Sequence, residues 1–152
     1  MNVFQIFGLY LGRFFLSSIF LISSINEMLD WSTTEQYFQM SMTRWTNTLH
    51  DTQWMASFLS IITPWLPWLL LLAIIFKLVG SFLLIIGCNV RLGACLLILF
   101  LVPATLIVHC FWSLPAQESP IEMVMFMKNI SILGGLLVVL VMGSGKSASK
   151  TV

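Results

Sequence analysis

Charge is what this 152-residue sequence has least of: 9% of its residues are charged and 59% are hydrophobic. A soluble domain carries about 25% charged residues, and a surface so poor in charge does not stay dispersed in water. The net charge of +1 gives no case for nucleic acid as a partner. Cys88, Cys95 and Cys110 form no CxxC pair and no metal-ligand spacing. No bis-histidine pair offers a haem site and no cysteine set an iron–sulfur site. His50-Asp51 and His109 fall on one side of the chain without a third clustered ligand, so no metal is expected. Nucleophile-elbow and triad spacings are missing as well, which leaves no case for a hydrolase. The first residues lack a basic n-region and an A-x-A site, and Arg13 interrupts their apolar run. They read as a retained helix.

What is abundant is apolar length, with a mean hydropathy of +0.97. Four stretches, 4–25, 65–86, 92–111 and 123–142, each suffice to cross roughly 30 Å of hydrocarbon at 1.5 Å per residue. The expected fold is all-α: an integral membrane four-helix transmembrane bundle forming one domain over 1–142. The segment Asn26 to Thr63, with Trp45, Trp54, Met55 and Phe58 among polar residues, reads as an interfacial helix between the first two spans. Gly87 to Arg91 makes a tight hairpin, and Pro115 and Pro120 stop the helices that flank them. Residues 143–152 read as a flexible basic tail. Arg91, Lys146 and Lys150 share the side of both termini, whereas the opposite connections have only Arg44, so both termini are expected to be cytoplasmic. All six tryptophans fall on the far side, as an aromatic belt.

Charges inside a bilayer cost at least about 2.5 kcal/mol on insertion scales, so each needs a reason. Arg13, Ser17, Ser24 and Glu27 form one stripe on the first span. Ala73, Lys77, Gly80 and Ser81 share a face of the second; Cys95, Thr105 and His109 line up on the third; Lys128, Ser131 and Gly135 on the fourth. Facing inward, these stripes make a polar seam, with Gly8-x-x-x-Gly12 also permitting close approach. The seam serves as helix–helix glue, or it lines a site or partner groove whose candidate residues are Arg13, Glu27, Lys77, His109 and Lys128. Depth counting puts Arg13 and Lys77 together, roughly 13–15 Å from one face, where two cations repel or share an anion.

The pattern resembles the DoxX family of small bacterial membrane proteins. The resemblance rests on Gly12-Arg13, Ser23-Ser24-Ile25-Asn26-Glu27-Met28-Leu29-Asp30-Trp31, Lys77 to Gly87 with Arg91, Pro103-Ala104, His109, and Phe126 to Gly135. It implies a multi-pass protein of the bacterial cytoplasmic (inner) membrane. The resemblance does not settle function; the small extramembrane mass, the absent catalytic constellation and the Trp-rich outer segment point to an accessory or scaffolding subunit with a protein partner or a second copy of itself. The alternatives are a quinone-linked redox subunit, with His109 and Glu27 against the quinone, and a small anion or lipid transporter. No cofactor is predicted, with quinone or bound lipid as the candidate ligands. The family pattern has Lys in place of Glu27 and Glu in place of Lys77, which suggests that the two sites sense each other. Straight-helix counting nevertheless puts them about three turns apart, against a direct pair.

Overall fold

The computed structural model describes residues 2–48 and 53–143. Every regular element among them is helical: α1 (Val3–Leu29), α2 (Trp31–Thr48), α3 (Gln53–Ile62), α4 (Leu66–Ile86), α5 (Val90–Val108) and α6 (Ser119–Met142). Short 3₁₀ turns at Thr63–Trp65 and Phe111–Ser113 lead into α4 and follow α5. Val3–Leu29, Ser60–Ile86, Val90–Val108 and Ser119–Met142 are long and apolar enough to cross a membrane. The tail from residue 144, with Lys146 and Lys150, lies outside the described residues, as does His50-Asp51.

The chain breaks its helices where the local chemistry requires. α1 ends at Asp30, whose φ/ψ of −125°/63° leaves the helical region. Its carboxylate then accepts from the Thr33 amide at 3.4 Å, which starts α2. α4 ends at Gly87, where φ is +77°, a conformation glycine reaches without strain. Asn89 at φ 51° completes the turn into α5. Pro120 stands in the first turn of α6, where its missing N–H costs nothing.

α1 packs on α4, α4 on α5 and α5 on α6. The main core joins Phe20, Leu84, Val90, Ala94, Leu97, Leu101 and Leu136. The closest approach is between α4 and α5: a β-carbon on Gly93 would lie 2.5 Å from Leu84 Cδ1 and 2.8 Å from the Gly80 carbonyl oxygen. At the end away from the Gly87 turn, α2 covers the bundle, burying Met42 against Leu66 and Leu70. Trp45 Nε1 donates to the Ile107 carbonyl at 2.9 Å. That carbonyl belongs to the last turn of α5, which has no helical partner for it. The segment expected to lie along an interface is thus, over α2, a helix packed onto α4 and α5.

The inward polar stripes exist on some helices and not on others. Arg13, Ser17, Ser24, Lys77 and Ser81 are buried. Cys95, Lys128 and Ser131 are exposed, so the stripes expected on the third and fourth spans do not face inward as a whole. Gly135 alone of the fourth-span stripe is tightly packed: its β-carbon would lie 3.0 Å from Leu16. A β-carbon on Gly8 or Gly12 would meet nothing within 4 Å, so that pair brings no helix close.

Candidate functional site

α1 and α6 meet toward the Gly87 end, where Arg13 Nη2 donates to the Gly143 carbonyl at 2.7 Å and Leu16 packs on Gly135. Toward the other end the space between them is a cavity of about 530 Å³, walled by α1, α2, α5 and α6. Phe20, Phe100, Leu101 and Ile132 make its apolar part; Ser23, Asn26, Glu27, Asp30, His109, Lys128 and Asn129 make its polar part. Ile19, Asn26, Asp30 and Lys128 are exposed at its rim, so it opens to the surroundings.

Glu27 is the cavity's best-connected residue. Its carboxylate forms an ion pair with Lys77, a side chain with no exposed surface, and accepts from Ser23 Oγ at 2.7 Å. Lys77 Nζ also donates to Ser23 Oγ at 3.3 Å and stands 4.7 Å from the centre of the Phe100 ring. Three groups on two helices therefore close a ring of hydrogen bonds, with the serine hydroxyl as both donor and acceptor. Phe20 and Phe100 meet edge to face at 6.3 Å beneath it.

This direct pair corrects the depth count. A β-carbon on Gly87 would lie 3.5 Å from Arg13 Nη1, so the turn packs at the level of Arg13 and the first turns of α1 project past it. Measured from that level, Lys77 is about 15 Å up α4 and Glu27 about 21 Å up α1. In antiparallel helices both side chains lean toward their own N-termini, here toward each other. The remaining offset is within their reach. Arg13 is accordingly not at the depth of Lys77; it sits at the turn end of the bundle, bonded to α6.

His109, just past α5, makes a further polar contact. Its Nδ1 lies 2.6 Å from Glu122 Oε2 in the first turn of α6. Around it Phe111, Trp112, Phe126 and Trp45 pack edge to face, with centroids 5.2 to 6.1 Å apart. Tyr37 of α2 lines the same cavity. Burial first, then the Glu122 carboxylate, raises its phenol pKa, with Arg44 opposing. Among the described residues Lys128 Nζ reaches Met125 Sδ, at 3.3 Å. Of the five seam candidates, Glu27, His109 and Lys128 line one cavity, Lys77 joins it through Glu27, and Arg13 stands apart. Ser23, Asn26, Asp30, Tyr37, Glu122 and Asn129 were not foreseen. The only sequence signals were the i, i+4 spacing of Ser23 and Glu27 and the tolerance of Pro120 at a helix start. Among the described residues no three His, Cys, Asp or Glu gather as metal ligands.

The fold and site define an all-helical protein with four helices suited to a membrane and a half-polar cavity at one end of them. The chain belongs to the HR-like lesion-inducing family, whose family model matches residues 5–142. That match overturns the resemblance to DoxX. The readings as an accessory or scaffolding subunit, a quinone-linked redox subunit or a small transporter fall with it, since no relative's name carries them. No curated protein and no solved structure matches the chain.

Proposed function

We propose that this chain is a four-span membrane protein that takes a single-chain amphiphile out of the bilayer into the cleft between α1 and α6. The family name describes an outcome, lesion induction, and no chemistry; the chemistry rests on the cavity. Its volume of about 530 Å³ falls in the range of roughly 300–1,000 Å³ usual for small-ligand sites. The observation that carries the reading is its polarity gradient. Phe20, Phe100 and Ile132 suit an alkyl chain, while Asn26, Asp30, Tyr37 and Asn129 at the other end suit hydroxyls or amides of a head group. The Lys77–Glu27 pair supports one wall and is already neutralised internally, so it favours an uncharged head over an ion. In a membrane the rim at Ile19 and Lys128 would face lipid, which supports entry from the side.

Four spans would place both termini on one side. Among the described residues Arg91 lies in the connection at the turn end and Arg13 beside it, against Arg44 in the connections at the other end. This polarity supports a cytoplasmic turn end by the positive-inside rule.

A diazirine-bearing monoacylglycerol in proteoliposomes tests the reading. Photolabel is expected at Phe100, Asn129 or Ile132, and Ala104→Trp, which fills the cavity wall, is expected to abolish it while helical content is retained. Label spread evenly over the outward apolar residues, unchanged in Ala104→Trp, would refute the cavity as the binding site.

A further inference from the structure

At the turn end, two arginines converge on the C-terminal end of α6. Arg13 Nη2 donates to the Gly143 carbonyl at 2.7 Å, and Arg91 Nη2 to the Val141 carbonyl at 3.3 Å. Gly143, at φ +62°, leaves room for Arg91: a β-carbon there would lie 2.9 Å from Arg91 Nε. Arg13 is buried, and among the described residues its Nε has no hydrogen-bond partner. No carboxylate pairs with either guanidinium among the described residues. A helix C-terminus supplies about −0.5 of a charge, so among the described residues roughly +1.5 remains uncompensated. Ten guanidinium N–H donors are gathered there, and among the described residues two of them are hydrogen-bonded, to the Gly143 and Val141 carbonyls.

We propose that Arg13 and Arg91, cradled by Gly143, form a binding site for the phosphate of an anionic phospholipid. Arg91, which is exposed, makes the contact, and its planar donor pairs match a phosphate's oxygens. Arg13 is the fixed charge behind it, held in register by the Gly143 carbonyl. A phosphodiester monoanion neutralises most of the excess. A headgroup is favoured over free phosphate because the site ends an apolar bundle, where the acyl chains of a bound lipid would lie along the exposed faces of α1 and α6. The site stands apart from the α1–α6 cavity and does not depend on its ligand.

The full chain in maltoside micelles, titrated separately with dioleoylphosphatidylglycerol, dioleoylphosphatidylcholine and inorganic phosphate, tests this by native mass spectrometry and thermal unfolding. Phosphatidylglycerol is expected to be retained over phosphatidylcholine and to raise Tm, with inorganic phosphate giving no comparable rise. Arg91→Gln is expected to lower the preference about fivefold, the effect of one basic residue at an anionic surface. Gly143→Ala, which keeps both charges but displaces Arg91, is expected to lower it as well. An unchanged preference in Arg91→Gln, equal retention of phosphatidylcholine, or an equal Tm rise from inorganic phosphate would each overturn the proposal. Arg91 is exposed, so its replacement tests the site even if Arg13→Gln does not fold.

Discussion

Lys77, in the middle of α4, is paired with Glu27, near the far end of α1, and Ser23 bonds to both. The lysine is wholly buried, and among the described residues this carboxylate, this hydroxyl and the Phe100 ring replace its water shell. The pair fixes α1 against α4 in one register and makes a neutral wall for the cavity.

Removing one partner of such a pair leaves a buried charge uncompensated, which costs about 3–5 kcal/mol. Lys77→Met and Glu27→Gln are each expected to lower the unfolding midpoint in detergent sharply, and Lys77→Met/Glu27→Gln to regain most of the loss. The exchange Lys77→Glu/Glu27→Lys is expected to be tolerated better than either half of it, because the Ser23 hydroxyl serves either polarity. A double-mutant cycle checks this; additive losses would show that the two charges do not depend on each other.

Four long apolar runs were legible because hydropathy over about 20 residues is a strong signal. So were the burial of Arg13 and Lys77 and the turn at Gly87. The Lys77–Glu27 contact was not, because depth was counted from residue 4, whereas α1 projects beyond the turn that packs beside Arg13. Glu122 was missed for a local reason: Pro120 was read as a stop, yet proline is welcome in a helix's first turn, and α6 starts before it. Periodicity shows that small and polar residues share a face without showing which face packs, which is why Cys95, Ser131, Gly8 and Gly12 point away from the bundle. The family resemblance failed for a related reason. Short motifs of Gly, Ser and Leu recur in apolar helices of any descent, and only the match over 5–142 distinguishes one lineage from another.

The glycines sort by what lies beside them. Gly93→Ala places a β-carbon against Leu84 and the backbone oxygen of Gly80, and the backbone has no room to yield. A loss of about 1–3 kcal/mol is expected from such overpacking. Gly8→Ala and Gly12→Ala meet open space, and removing a helical glycine is expected to add up to about 1 kcal/mol. Unfolding in sodium dodecyl sulfate, followed by circular dichroism, separates the two groups. Destabilisation by Gly12→Ala as large as that by Gly93→Ala would mean that the Gly8–Gly12 face is packed after all.

Tyr37 carries the pH dependence. Its pKa is raised above the ordinary 10.0 by burial and then by the neighbouring Glu122, so the folded chain holds the phenolic proton longer than the unfolded chain does. The stability this contributes is fully present below pH 10.0 and is lost as pH rises through the higher, folded value. At neutral pH the hydroxyl is therefore a donor at the cavity. The sequence has two tyrosines, so Tyr10→Phe leaves Tyr37 as the sole tyrosinate chromophore. Its absorbance titration is expected to have a midpoint above 10.0, and Glu122→Gln is expected to move that midpoint down. Tyr37→Phe is expected to flatten the fall in stability above pH 10. Tyr37 is partly exposed at the cavity, and a midpoint at or below 10.0 in the folded protein would show that the cavity does not shelter its phenol, and would remove the donor that the head-group end is built to offer.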